Sequence, residues 1–154
     1  MSPKRLNEGK GYALEDIRVL ELTYFMAGPS CGMLLADMGA DVIKVENPKG
    51  GDFTRSAAPF VGGESAGFMA VNRNKRSIAL DLKSDRGREI FLDLVRTSDV
   101  VIENLRPGTL DDLRIGYAVL NEVNPGIILL SASGFGQSGP YKHRAALDLM
   151  TRDH

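Results

Sequence analysis

Residues 17–45 read IRVLELTYFMAGPSCGMLLADMGADVIKV, and the organisation of the chain follows from them. The run Ile17 to Leu22 opens the stretch and Val42 to Val45 closes it. Both are short, largely apolar and rich in β-branched residues or leucine, as expected of parallel strands covered on both faces. Between them Gly28 and Pro29 open a segment in which Cys31, Leu34, Leu35 and Met38 recur at helical spacing, and Gly39 stands where a helix ends. The spacing predicts a helix whose Cys31-bearing apolar stripe faces a sheet, with the cysteine as a small buried hydrophobe rather than a nucleophile.

The same alternation continues downstream. Further strands are predicted at Ile78 to Leu82, Val100 to Ile102 and Ile127 to Leu130. Ser84 is placed to cap a helix with Ile90, Phe91, Leu94 and Val95 on one stripe. Thr109 to Val123 reads as an interrupted helical crossover, broken near Gly116 and stopped by Pro125. Strand and helix repeated in this order predict an α/β fold, an open doubly wound parallel sheet of Rossmann-like type. Asn47 to Ser77 fits the pattern badly: it is glycine-rich and too long for a structureless loop, so a short helix around Ser65 to Val71 and a binding loop are both expected. Upstream, Met1 to Ala13 is mostly polar without an apolar signal core. It is read as a flexible tail (1–13) ahead of one domain (14–154).

Composition narrows the function classes. Nineteen Lys and Arg against 20 Asp and Glu give a net charge of −1, which supplies no global attraction for nucleic acid. No apolar run has the length of a membrane span, and a single cysteine fits a reducing, cytoplasmic setting. The two histidines, His143 and His154, lack ligand-spaced neighbours, so no metal site is expected.

In an open parallel sheet, ligands gather at the carboxyl ends of the strands. Four segments should meet there: Thr23 to Ser30, Glu46 to Gly51, Glu103 to Gly108 and Ser131 to Pro140. Their glycines suit close backbone approach to a ligand or simple turn chemistry, and the residues alone leave both open. The first loop, Thr23 to Ser30, has Gly28 alone and no G-x-G-x-x-G, which argues against an ordinary dinucleotide site. From Arg73 to Arg88, six basic residues face two acidic ones. That cluster is either a rim for a multiply anionic ligand or a solvated face.

Several blocks carry a resemblance. Leu14-Glu-Asp-Ile-Arg-Val-Leu-Glu-Leu-Thr23, Ala27-Gly-Pro29 and Leu34-Leu-Ala-Asp-Met-Gly-Ala-Asp-Val-Ile-Lys-Val-Glu46 are similar to the opening of class III coenzyme-A-transferases. This family includes formyl-CoA and carnitine CoA-transferases and α-methylacyl-CoA racemases. Gly50-Gly-Asp-Phe-Thr-Arg55, Asn72 to Lys83, Asp99 to Gly108 and Ser133 to Tyr141 extend the resemblance in collinear order to about residue 150.

The resemblance implies a CoA-binding Rossmann-like domain, a smaller second domain and an interlocked homodimer. It also implies an aspartate nucleophile that moves CoA from an acyl-CoA to a carboxylic acid. By position, Phe25, Met26 and Ala27 should meet the CoA thiol arm, and Leu80 and Lys83 should flank the nucleotide. Asn104, Leu105 and Leu113 should complete the wall, with Arg73 and Lys75 adding charge. Asn47 and Asp112 stand where relatives place cations, and Met26 stands where formyl-CoA transferases have glutamine, so a formyl or oxalate substrate is not assigned. Leu147 stands where racemases carry histidine, which disfavours racemisation. The nucleophilic aspartate belongs to a Gly-Asp motif downstream of Met150, so the chain is expected to stop before it, and Asp148 matches a supporting acid at most. No catalytic residue is therefore assigned. The alternatives are a non-catalytic acyl-CoA-binding module and an inactive truncated remnant.

Overall fold

The structure, a computed structural model, describes residues 9–144 and Ala146. Leu147 and Asp148 lie outside the described residues. Five strands form one parallel sheet in the order β5-β2-β1-β6-β7. They are β1 (Arg18–Leu22), β2 (Asp41–Glu46), β5 (Arg76–Ala79), β6 (Val100–Glu103) and β7 (Ile128–Ser131). Between β2 and β5 come a 3₁₀ turn (Phe53–Ser56), a hairpin of β3 (Phe60–Val61) and β4 (Glu64–Ser65), and helix α2 (Ala66–Asn72). Among the described residues no helix is long and apolar enough to cross a membrane.

Alternation along the strands builds a layer on each face. Leu20, Leu22, Ile43, Val45 and Val101 pack against Phe91 and Val95 of α3 (Asp85–Val95) and Leu120 of α5 (Tyr117–Val123). Val19, Val42 and Ile102 pack against Ala36 of α1 (Ala27–Asp37) and Ala40. Phe91 and Val95 are fully enclosed, and each contributes about 1.5–3 kcal/mol by leaving water. Ser84 caps α3, its hydroxyl accepting from the Gly87 N–H. The crossover breaks at Gly116, between α4 (Thr109–Asp112) and α5. Ile128 and Leu130 of the edge strand β7 remain exposed.

Three expectations need correction. The residues that α1 buries fully are Gly28, Pro29, Gly32 and Ala36; of the expected stripe, Cys31 and Leu35 pack half-buried against the Val19–Val42 cluster, while Leu34 and Met38 are exposed. Small residues win that face because the helix lies directly on β1: a Cβ at Gly28 would stand 2.6 Å from Thr23 Cβ. The third strand runs Arg76–Ala79 rather than Ile78 to Leu82. It pairs from Arg76 with Ile43, the Leu80 N–H makes a last bond to the Glu46 carbonyl, and Asp81 then begins the turn into the Ser84 cap. Asn47 to Ser77 also holds a 3₁₀ turn and a hairpin besides the expected helix, which Ser65 caps at the Phe68 N–H.

Candidate functional site

After β1 the chain steps outward through β2 to β5, then returns to the other side of β1 as β6. The order therefore reverses between β1 and β6, and a parallel sheet opens a crevice at the carboxyl ends of that pair. One side chain joins the two loops there. Asn104 Oδ1 accepts from the Tyr24 N–H at 2.8 Å, and Asn104 Nδ2 donates to the Tyr24 carbonyl at 2.8 Å. Phe25 follows with φ 70, a left-handed conformation unusual for an aromatic residue. Its ring lies 5.3 Å from that of Phe53, and both rings stay exposed to solvent.

Next to this clamp lies a cleft of about 510 Å³. Leu22, Val45, Leu80, Leu105 and Leu113 form its apolar floor and walls, and Asn47, Lys49, Asp81, Lys83 and Thr109 its polar margin. Tyr24 also borders it; burial, then the carboxylates of Asp52 and Glu46, push its phenol above the ordinary range.

Beneath the Thr23–Pro29 loop, on the α1 face, two acids and two lysines are sealed from solvent. Glu21 Oε2 lies 2.8 Å from Lys75 Nζ, and Glu21 Oε1 lies 3.2 Å from Lys44 Nζ, which also meets Asp52 Oδ2 at 3.1 Å. Glu21 Oε2 and Asp52 Oδ2 accept no aligned hydrogen bond from protein, so opposite charge alone compensates them. The lysines also brace the loop: Lys44 Nζ donates to the Thr23 carbonyl at 2.7 Å, and Lys75 Nζ to the Pro29 carbonyl at 2.8 Å. Burial pushes the Lys75 ammonium down, and the Glu21 carboxylate partly counters it. The charges cancel, yet removing one partner from such a cluster typically costs about 3–5 kcal/mol because the other stays buried and uncompensated.

Glu46 organises the neighbouring loop. It accepts from Arg55 Nε and Nη2 at 2.8 and 2.7 Å, from Ser77 Oγ at 2.6 Å and from the Asp52 N–H at 2.9 Å. Burial pushes its carboxyl up, but these bonds and the Arg55 charge outweigh burial and hold it at about 2. The Arg55 guanidinium in turn covers the Phe68 ring at 3.8 Å.

Of the residues singled out from sequence, Leu80, Lys83, Leu105 and Leu113 line the one cleft. Asn104 clamps its mouth, and Phe25, Met26 and Ala27 are exposed on the adjoining loop and helix start. The basic cluster does not assemble. Arg73 bonds Asp37 at 2.5 Å beside α1, Lys75 is the buried partner of Glu21, and Arg76 shares Asp41 with Arg18. Its neutralising acids come from β1, α1 and β2, so neither a continuous rim nor a plain solvated face describes it. Tyr24 and Lys49 were not singled out from sequence, nor was the Glu21–Lys44–Asp52 network. A charge interrupting each of two apolar strands, Glu21 and Lys44, was the one available signal for the network.

The model for CoA-transferase family III matches residues 14–153. Succinyl-CoA:mesaconate CoA-transferase of Haloarcula hispanica is 56% identical over 129 residues, covering 80% of this chain and 32% of that protein. Succinyl-CoA:glutarate CoA-transferase of Mus musculus is 48% identical over 136 residues, covering 88% and 31%. A crystal structure of a CaiB/BaiF family protein from Brucella suis matches with a TM-score of 0.85 at 46% identity, over 90% of this chain and 38% of that one. The chain spans about a third of the length of these curated relatives.

Proposed function

The chain belongs to CoA-transferase family III, and from that premise we propose that its switch-point cleft binds the CoA portion of an acyl-CoA, serving transfer of CoA to a carboxylic acid. The observation that carries this reading is the cleft itself. Leu80, Leu105 and Leu113 offer an apolar seat for a flat base, Lys83 and Lys49 offer charge for phosphates, and the Tyr24–Asn104 clamp leads to Phe25 and Met26. A nucleotide base, phosphates and an extended thiol arm need these three surfaces in sequence.

The part assigned to these residues is binding and orientation. In the reaction that the resemblance implies, an aspartate carboxylate adds to the thioester carbonyl and expels CoA thiolate, leaving a mixed anhydride. The thiolate then adds to the aspartyl carbonyl and releases the first acid, and the incoming carboxylate repeats the exchange in reverse order. The donor we infer is the thioester of a small dicarboxylic acid, since two relatives at 56% and 48% identity carry succinyl-CoA in their names. Assembly as a homodimer belongs to the same proposal.

Calorimetric titration with CoA tests the binding role. Lys83→Glu should weaken binding by about tenfold, and raising salt should weaken it in the parent chain as exposed ion pairs are screened. An affinity indifferent to both changes would remove the cleft from consideration as a CoA site.

A further inference from the structure

Beyond Lys83 the cleft continues into a shallower depression beside the start of α3 and the end of α4, with Thr109 and Leu113 shared between the two. Three cations border it, Lys83, Arg88 and Arg114, against two carboxylates, Asp85 and Asp112. Arg88 is already committed. Its Nη1 donates to the Lys83 carbonyl at 2.9 Å and its Nη2 pairs with Asp85, which fixes the Lys83 backbone and neutralises that acid. Among the described residues, neither Lys83 Nζ nor the exposed Arg114 guanidinium has a salt-bridge partner.

The backbone at Arg114 is equally informative. It closes α4, its N–H bonded to the Asp111 carbonyl, with φ 59. A residue with a Cβ in that left-handed region costs about 1 kcal/mol, and glycine is the default there. A strained position filled by a long cation, unpaired and on the edge of a depression, points to use of the side chain.

We propose that Lys83 and Arg114, braced by Arg88, form a subsite for a phosphomonoester: the ribose 3′-phosphate of a CoA whose thiol arm runs toward Phe25 and Met26. The proposal rests on the CoA-binding reading above. A phosphomonoester carries close to two negative charges near neutral pH, more than either phosphate of a diphosphate link. It therefore gains most from two free cations, a planar fork from arginine and a point charge from lysine. The depression is open to solvent and joins the cleft through Lys83, Thr109 and Leu113, with Phe25 in the lining of neither, which suits the terminal group of a ligand. Asp112 opposes the anion from the same rim, so Arg114 determines the sign of the local field.

Calorimetry on the full chain with CoA and with dephospho-CoA, which lacks only the 3′-phosphate, isolates this group. The parent should bind CoA about five- to tenfold more tightly than dephospho-CoA. Arg114→Gly should abolish most of that preference and leave dephospho-CoA affinity unchanged. Its melting temperature should hold or rise, because glycine relieves the left-handed strain, so a lost preference cannot be ascribed to lost folding. Arg114→Asn, which tolerates the same backbone, should match Arg114→Gly in binding. CoA bound without preference over dephospho-CoA, or a preference that survives both substitutions, overturns the subsite and leaves the CoA reading standing. A parent chain that binds neither compound overturns both.

Discussion

Gly32→Ala is a substitution whose sign the fold reverses. In an exposed helix interior, alanine is favoured over glycine by about 1 kcal/mol. Gly32 lies in α1 against Glu21 of β1, and an added Cβ would overlap Glu21 Oε2 and stand 2.8 Å from its Cδ. Glu21 has no room to swing away, since it is fully buried and held by Lys44, Lys75 and the Thr23 hydroxyl. Lifting α1 instead would pull Pro29 from Lys75. Overpacking costs about 1–3 kcal/mol, and partial loss of a buried ion pair adds to it. After the helix-propensity gain, a net destabilisation of about 2–4 kcal/mol remains. Gly67→Ala in α2 is the control, because its nearest neighbour is Ser65 Oγ at 3.8 Å, and a gain of about 0.5–1 kcal/mol is expected. Urea unfolding of both variants reads the difference directly. A Gly32→Ala protein as stable as its parent would show that α1 does not lie on the charge network as described.

Two further outcomes follow from the loops. The Glu46 carboxyl sits at about 2 in the folded chain against 4.5 ordinarily, so its contribution is complete above about pH 4.5 and is lost as pH falls toward 2. It amounts to about 3 kcal/mol at full weight, nearer 2 with the solvent-open side of Arg55 screened, and Glu46→Gln should flatten acid unfolding across that window; an unchanged acid limb would count against the carboxylate's role. Asn104→Ala removes both bonds to Tyr24. It should speed amide exchange at Tyr24 and weaken CoA binding about tenfold with little change in Leu80 packing; unchanged exchange would mean the loop is held by other contacts.

Residues 17–45 disclosed their strand–helix–strand order because continuous apolar runs of strand length flank a helical pattern. Parallel order then put Thr23, Glu46 and Glu103 at one edge without further information. The face of α1 was only half legible: Cys31 and Leu35 of the periodic stripe pack on the core, but apolar periodicity marks large side chains, whereas contact with β1 demanded the small ones, Gly28, Gly32 and Ala36. The fate of Arg73, Lys75 and Arg76 was hidden for a different reason. Their acids, Asp37, Glu21 and Asp41, lie 36, 54 and 35 residues away, and only the sheet register and the seating of α1 and α2 bring them together. Leu80, Leu105 and Leu113 were named from resemblance, and Lys83 both from resemblance and as one cation of the Arg73 to Arg88 run. Residue patterns placed the Leu105 loop at the carboxyl ends of the strands but gave no reason to gather Leu80 and Leu113 with it, because the cleft is made by strand order rather than by any one segment.

The central claim is that this cleft is where CoA binds. Methyl-resolved NMR of the chain titrated with CoA addresses it most directly, since Leu80, Leu82, Leu105 and Leu113 border the cleft while Ile128 and Leu130 lie exposed on the far edge strand. The account predicts that the cleft methyls shift together along one saturating curve while those of Ile128 and Leu130 hold still. Shifts confined to the β7 edge, or cleft methyls that stay fixed while CoA is bound, would contradict it.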